Sequence, residues 1–213
     1  MTLINNITDK YFMKTKIIIS TTILLAISFL SFTTKNEIGN CFISFKTASH
    51  LIAAEPDKLP EASEKFRVLD TEKGEVEITR IAGYRILYNN DKKVPFVNLK
   101  VELSDQNSYN TDQKKIINNL KYLNAHSTNM ETKELMELNF NNFKILGLSR
   151  GTIESGSTLG TFVMFPGNGV TIYFYFNNLK PNFRNFESVE DYKKQRDNFM
   201  EEYTKYLTIC KEK

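Results

Sequence analysis

The sequence has no tryptophan and only two histidines and two cysteines among its 213 residues. Without tryptophan, the chain lacks the side chain that most often stacks against a sugar ring, although tyrosine can take that role. Neither His50 nor His126 has a second histidine or a cysteine at the spacing of metal ligands. The sequence therefore predicts no metal site, and we expect no cofactor.

Two motifs that would indicate catalysis are also missing. Ser157 stands in the segment Gly-Ser-Thr-Leu-Gly, which is not the frame of the Gly-x-Ser-x-Gly nucleophile elbow. The segment Gly151–Gly160 contains no lysine, whereas a phosphate-binding loop carries Lys-Ser or Lys-Thr after its last glycine. A protein without catalytic activity is therefore the favoured interpretation.

One class of enzyme stays open as an alternative. The two carboxylates of a hydrolase need to lie only about 5–10 Å apart in space, so a single sequence does not exclude such a pair. Glu154, which belongs to a polar segment beside a strongly aromatic stretch, would be one of the two.

Basic and acidic residues nearly balance. Lysine and arginine total 28, and aspartate and glutamate total 25, which gives a formal net charge of +3. Residues 1–34 contain three of the lysines and one of the aspartates, so the rest of the chain has 25 basic and 24 acidic residues. This balance leaves no basic stripe to neutralise a run of phosphates. We expect no binding to nucleic acid.

The N-terminal segment has the pattern of a secretory signal peptide. Met13–Lys16 carries two lysines, and the apolar run of 16 residues from Ile17 to Phe32 follows directly. An uncleaved anchor is the alternative, but a span needs about 20 apolar residues, and five serines and threonines interrupt this shorter run. Residues 1–34 are therefore predicted to be a signal peptide or an uncleaved anchor. We expect an exported protein, periplasmic, extracellular or membrane-tethered, that contacts the membrane only through this segment if it is not cleaved.

The two cysteines, Cys41 and Cys210, lie near opposite ends of the chain that follows the leader. An even number of cysteines in an exported chain favours a disulfide. Closing so long a loop would stabilise the fold by on the order of 4–5 kcal/mol in the loop-entropy model. The alternatives are two free thiols, or lipid attachment at Cys41, although Asn40 is not the usual small residue before a lipidated cysteine.

After the leader, we predict a linker or N-terminal extension, residues 35–63, and a single α+β domain, residues 64–213. The domain centres on Leu159–Phe176, where two apolar runs flank Pro-Gly-Asn-Gly. A turn with Asn-Gly is a strong hairpin signal, because both residues tolerate positive φ. Since the second run is largely apolar on both faces, we expect a mostly antiparallel sheet with this aromatic hairpin at its centre and two main helices packed on it.

Other strands are predicted from the alternation of apolar and polar side chains. In Val97–Leu103, the cleanest case, Asn98, Lys100 and Glu102 face away from the apolar side chains and are expected to lie in water. The remaining predicted strands are Phe66–Leu69, Val76–Ile81, Tyr84–Tyr88, Leu135–Phe140 and Phe143–Leu148, with a bend or bulge at Gly83 and a turn at Asn141-Asn142.

Two helices are predicted from apolar spacing and end signals. The first has Asn110 as its N-cap and ends near His126, and its apolar stripe consists of Ile116, Ile117, Leu120 and Leu123. The second follows the N-cap Ser188, with Asp191 completing a capping box, and its stripe consists of Tyr192, Phe199, Tyr203 and Leu207. Cys210 continues this second stripe, which would turn its thiol toward the body of the domain.

The order of these elements from Phe66 onward resembles the PsbP-like superfamily of antiparallel α/β/α sandwiches. Strands come first, then the helix at 111–125, then more strands with the aromatic hairpin, and finally a long closing helix. The likeness covers most of the chain after the leader, and no functional residue is carried over from it. Because several members are exported accessory proteins, the resemblance implies a binding or assembly-assisting role rather than enzymatic turnover.

The ligand-binding residues predicted from the sequence are Arg150, Glu154, Ser157, Tyr173 and Tyr175. The first three lie in a polar connection into the hairpin, and such loops often carry sites. The tyrosines could line a pocket for an apolar or ring-shaped ligand, because pockets are mostly apolar with a few polar groups. We expect a non-catalytic extracytoplasmic protein that binds a partner protein or a small apolar ligand. A structural component of the cell envelope is a further alternative.

Overall fold

The structure is a computed structural model, and it describes residues 35–38, 41–44, 52–53, 57–58, 64–70, 72–89, 95–126, 133–153, 157–178 and 185–207. All of these residues belong to one compact unit that covers residues 35–213. The predicted signal peptide lies outside them. Of the predicted extension, residues 35–63, four short strands are described.

The described residues form eleven strands and two helices. The strands are β1 Lys35–Ile38, β2 Cys41–Ser44, β3 Ile52–Ala53, β4 Asp57–Lys58, β5 Glu64–Asp70, β6 Gly74–Asn89, β7 Pro95–Ser104, β8 Lys133–Phe140, β9 Phe143–Arg150, β10 Ser157–Gly167 and β11 Val170–Asn178. The helices are α1 Tyr109–Ala125 and α2 Val189–Tyr206. Neither of these two described helices is long and apolar enough to cross a membrane.

The strands pair in one large antiparallel sheet, with β1 and β2 as a separate hairpin. The order in the large sheet is β3-β6-β7-β11-β10-β9-β8, and β4 and β5 also pair with β6. The hairpin of β10 and β11 lies between β7 and β9, in the middle of the sheet. The predicted α+β class, with a mostly antiparallel sheet around an aromatic hairpin, is confirmed.

Asn168 and Gly169 make the tight turn of the central hairpin. Their φ angles are 50° and 81°, the positive values that such a turn requires, and Gly167 and Val170 on either side are paired. A side chain at Gly169 would overlap the carbonyl oxygen of Ser104. The carbonyl of Gly169 also accepts a hydrogen bond from the Ser104 amide at 2.8 Å. The turn therefore fixes the register of the hairpin and the end of β7 together.

The main hydrophobic core lies between the sheet and α2. The sheet contributes the buried side chains of β11, which are Val170, Ile172, Phe174 and Phe176. The closing helix contributes its predicted stripe, which is Tyr192, Phe199, Tyr203 and Leu207. Edge-to-face contacts join the two layers, as between Phe174 and Tyr203, whose ring centroids are 5.4 Å apart. A glycine at position 160 permits close approach, because a side chain there would overlap the Tyr192 hydroxyl.

The N-cap prediction is confirmed for α2 and wrong for α1. The Ser188 hydroxyl accepts a hydrogen bond from the Asp191 amide at 3.0 Å. In contrast, α1 begins at Tyr109 after Ser108, so Asn110 lies inside the helix. The Tyr109 hydroxyl donates to the carbonyl of Val170 at 2.6 Å. This contact with the distant hairpin helps to fix the first turn, and no local sequence pattern contains it.

Two strand predictions also need correction. β6 runs without interruption from Gly74 to Asn89, and its two register shifts against β7 lie between Arg80 and Ala82 and between Tyr88 and Asn89 rather than at Gly83. On β7, the Glu102 side chain is only 1% exposed, because Arg80 lies against it. That face of β7 is therefore not in water at Glu102.

We expect Phe174→Ala to lower the free energy of unfolding by about 3–5 kcal/mol, because the buried ring contacts Phe199 and Tyr203. Leu69→Ala is the control: Leu69 is 84% exposed, and its removal should change the stability by less than about 0.5 kcal/mol. Urea-induced unfolding followed by circular dichroism measures both values. Equal losses in the two variants would contradict the position of the core.

Candidate functional site

The sheet face opposite α2 is only partly covered, by α1. Ile116 and Leu120 of α1 pack on Leu148 and Val163 of the sheet. One cross-strand row on this face runs from β9 through β10 and β11 to β7, and it consists of Leu148, Thr161, Tyr175 and Asn98. Leu148 is buried beneath α1, whereas the other three are half-buried. The row therefore leads from the contact with α1 to a more open part of the sheet.

A cleft of about 190 Å³, which we call the α1 cleft, opens between the C-terminal half of α1 and strands β9 and β10. Its lining includes Leu120, Leu123 and Leu148. Leu123 is 50% exposed, so the predicted apolar stripe of α1 enters the core only in part. The remaining lining residues are Arg150, Thr158, Leu159, Gly160 and Thr161.

A stacked pair of tyrosines lies beside the α1 cleft on β11. The ring centroids of Tyr173 and Tyr175 are 6.1 Å apart, with an interplanar angle of 12°. The Lys100 ammonium of β7 lies 5.7 Å from the centroid of the Tyr173 ring, within the range of a cation–π interaction. Tyr175 is directly opposite Thr161, which lines the cleft.

Both tyrosine hydroxyls are protonated at physiological pH. Burial raises the pKa of Tyr175 to about 12, and the negative charge of Glu102 acts in the same direction. Burial also raises the pKa of Tyr173, again with a contribution from Glu102. The pair therefore presents neutral rings and hydroxyl groups, without negative charge, to any ligand on this face.

A buried ionic network joins α1 to the sheet. Arg80 of β6 donates to the Asp112 carboxylate of α1, with nitrogen–oxygen distances of 3.1 and 3.3 Å. The Ser104 hydroxyl donates to the same carboxylate at 3.0 Å. Arg80 also lies 3.6 Å from Glu102, which forms a second ion pair with Lys100. The side chains of Asp112 and Glu102 are both 1% exposed.

The network holds a charged Arg80 and positions α1. Burial acts against the charge of Arg80, but the hydrogen bond with Asp112 and the charge of Glu102 outweigh it, and the pKa of Arg80 is raised. Because the three groups belong to β6, α1 and β7, the network holds these elements in one arrangement. Neither carboxylate lines the α1 cleft. The network therefore contributes to the cleft only by holding α1 against the sheet.

Three of the five predicted ligand-binding residues can be placed, and they share one face of the sheet. Arg150 lines the α1 cleft. Tyr175 lies opposite the lining residue Thr161, and Tyr173 is the next residue of β11 on the same face. Arg150 and the two tyrosines therefore lie on the same face of the sheet, with Thr161 of the cleft lining opposite Tyr175.

The side chains of the other predicted residues are not described. Ser157 is the first residue of β10, but its side chain is not described, and Glu154 is not described at all. The hydrolase alternative, which depends on Glu154, stays a prediction. Cys41 begins β2 without a described side chain, and Cys210 is not described. The disulfide stays a prediction as well.

Sequence reasoning missed the leucines of the cleft. Helical spacing placed Leu120 and Leu123 on one face of α1, but spacing alone does not distinguish a core residue from one that borders a cleft. Leu148 was assigned only to a strand. The missing information was that β9 and β10 pair beneath the end of α1, a contact between segments distant in sequence.

Within the described part of the chain, no group of three or more histidine, cysteine, aspartate and glutamate residues is placed to hold a metal ion. His126 instead stacks on Tyr122, with ring centroids 3.9 Å apart. The other histidine, His50, is not described.

Comparison of the chain with protein-family models, with curated proteins and with solved structures gives no match. A function must therefore be argued from the geometry and chemistry of the site itself.

We expect Arg80→Met to lower the free energy of unfolding by about 3 kcal/mol or more, because it leaves the buried Asp112 carboxylate without its cation. Arg67→Met is the matched control. Arg67 pairs with Glu75 at 3.5 Å, and these side chains are 68% and 64% exposed, so the loss should be below about 1 kcal/mol. Denaturant titration compares the two variants, and a similar loss in both would show that the network does not support α1.

We expect the protein to lose stability as the pH rises from about 10 to about 12, and Tyr175→Phe to reduce this loss. Tyr175 ionises near pH 12 in the folded protein and near pH 10 in an unfolded chain. Its contribution is therefore complete below about pH 10 and lost as the pH rises through the folded pKa. Unfolding of both proteins at about pH 8 and about pH 11.5 measures the difference. An identical alkaline loss in the variant would contradict the raised pKa.

Proposed function

We propose that the chain is a non-catalytic, extracytoplasmic binding protein that takes up a small apolar ligand in the α1 cleft. The observation that carries the proposal is Leu123, which is 50% exposed and faces a cleft with three other leucines instead of completing the core. Covering this side chain with a ligand is favourable, because apolar surface is then removed from water.

The size of the α1 cleft limits the ligand. The cleft has a volume of about 190 Å³, and an apolar cavity of about 150 Å³ is enough to bind benzene. One aromatic ring or a short branched chain therefore fits. A longer ligand extends out of the cleft, and on the side of Thr161 it meets Tyr175. A flat ring can stack on the face of a tyrosine.

Polar groups at the cleft orient the ligand. Arg150 contributes a guanidinium group, and Thr158 and Thr161 contribute hydroxyl groups. The Thr158 hydroxyl is held by Asn177, whose side-chain oxygen accepts its hydrogen bond at 3.0 Å. A mostly apolar lining with a few fixed polar groups is the usual composition of a small-molecule site.

The extracytoplasmic location is supported by the leader pattern of residues 1–34 and by the cysteines. Cα atoms of β2, which begins at Cys41, come within 8 Å of Cα atoms of α2. Cys210 follows the last residue of α2, Tyr206, by four positions. Disulfide-bonded cysteines have Cα atoms about 4.4–6.8 Å apart, and the closeness of β2 and α2 favours such a bond. The relationship to PsbP-like proteins stays a proposal that rests on the order of elements in the sequence.

Titration with benzyl alcohol, a one-ring probe, tests the proposal. In ¹H–¹⁵N NMR spectra we expect the amide signals of Leu123, Gly160 and Thr161 to shift. Leu123→Ala should weaken binding about fivefold or more, because it removes apolar contact area. Tyr122→Ala is the matched control, since Tyr122 is adjacent, 62% exposed and not part of the cleft lining. Shifts at another surface, or the same affinity in both variants, would overturn the proposal.

A further inference from the structure

The two edges of the large sheet differ in their protection. On one side, β3, β4 and β5 pair with successive parts of β6. On the other side, the order of strands ends at β8, and none of the described residues pairs with its outer edge. Such an edge presents a row of backbone donors and acceptors that can pair with another strand.

β8 carries the charged residues Lys133, Glu134 and Glu137, but it lacks the irregularities that interrupt an edge strand. It pairs with β9 over all eight of its residues without a register shift. It contains no proline and no glycine, either of which would weaken pairing. A flat, regular strand of this kind is suited to add a further strand.

Three side chains of β8 on the α2 face are apolar but incompletely buried. Met136, Leu138 and Phe140 pack against the main core and are all half-buried. The corresponding side chains of the central strand β11 are fully buried, because β11 has a neighbour on each side. A strand placed beside β8 would cover the apolar side chains at the edge in the same way.

The turn after β8 holds this edge in place. The Asn141 side-chain amide donates to the carbonyl of Glu201 at 2.8 Å and to the hydroxyl of Thr204 at 2.9 Å. Both acceptors belong to α2, so the end of β8 is fixed to the closing helix. Pairing with a preformed edge costs less conformational entropy than pairing with a mobile segment.

The side-chain pattern of β8 is complementary to itself. In the five residues Met136–Phe140, apolar and polar side chains alternate symmetrically about Leu138. Antiparallel pairing of two copies about a two-fold axis at Leu138 sets Leu138 opposite Leu138 and Met136 opposite Phe140. On the other face it sets Glu137 opposite Asn139. Apolar side chains then meet apolar ones, and the acidic side chains meet neutral amides.

The neighbouring registers are less favourable. Side chains directly opposite each other in an antiparallel pair must lie on the same face, so the axis must pass through a residue of β8. An axis at Glu137 sets two carboxylates opposite each other, which is destabilising. An axis at Met136 sets Glu134 opposite Leu138. The pattern therefore favours the register at Leu138 over these two.

We propose that β8 is the interface of a homodimer, in which two copies of this chain pair antiparallel about Leu138 and their sheets join into one. The contact is isologous, since each copy uses the same five residues. It is also separate from the α1 cleft, because β8 does not contribute to the cleft lining. Each dimer thus carries two ligand sites.

Charge substitutions at Asn139 test this proposal. In the folded monomer, Asn139 is exposed and lies opposite Lys144 of β9, so Asn139→Glu should not harm the fold. Asn139→Lys sets two lysines opposite each other and should lower the stability of the monomer slightly. In the dimer, the new carboxylate faces Glu137 of the other copy at two symmetric positions. We expect Asn139→Glu to raise the dissociation constant about fivefold or more, and Asn139→Lys to lower it. Asn118→Glu, at an exposed position of α1, is the control with the same change in net charge.

Sedimentation equilibrium of the protein from its exported fraction, from about 1 µM to about 1 mM, gives the dissociation constants. Thermal unfolding confirms that each variant is folded. Opposite shifts for the Glu and Lys variants, with no shift for Asn118→Glu, support the interface at β8. A protein that stays monomeric over the whole range overturns the proposal. A dimer that responds equally to all three substitutions overturns it as well, since its contact then lies elsewhere.

Discussion

The structure depends on the burial of both faces of β11. One face carries valine, isoleucine and phenylalanine side chains that are fully buried against α2. The other carries Tyr173, which packs with the apolar side chains beneath α1. A strand with two apolar faces requires a layer of packed structure on each side of the sheet. Both helices must therefore pack against the central hairpin. The order of strands, with the hairpin in the middle, satisfies this requirement.

The two helices meet this requirement by different interactions. α2 is held by rings in edge-to-face contact, which form a continuous aromatic core. α1 is held at its beginning by polar contacts: the Tyr109 hydroxyl on Val170, and Asp112 on Arg80 and Ser104. Toward its end, Leu120 is buried but Leu123 is only half-buried. The α1 cleft is therefore found where the helix is least completely packed, and ligand binding can add buried surface there without disturbing the aromatic core.

The sequence was most informative where a local pattern decides the structure. The Asn-Gly turn, the Ser188 cap and the aromatic stripe of α2 were all predicted, because spacing and turn chemistry determine them. The start of α1 and the burial of Glu102 were not, since both depend on partners distant in the chain, Val170 and Arg80. The candidate site also combines features that a local pattern predicts with features that depend on distant contacts. Arg150 was predicted from its position next to the hairpin, and the two tyrosines from the aromatic face of the hairpin itself. The cleft beside them forms only because α1 crosses β9 and β10.

Gly160 has a particular position in this arrangement. On one face of the sheet it belongs to the floor of the α1 cleft, and on the other face its missing side chain leaves room for the Tyr192 hydroxyl. At Gly160, only the backbone of β10 lies between the α1 cleft and α2. A side chain added at Gly160 would therefore have to displace the Tyr192 hydroxyl of α2. At Gly160, a single strand backbone thus belongs both to the wall of the α1 cleft and to the packing surface of α2.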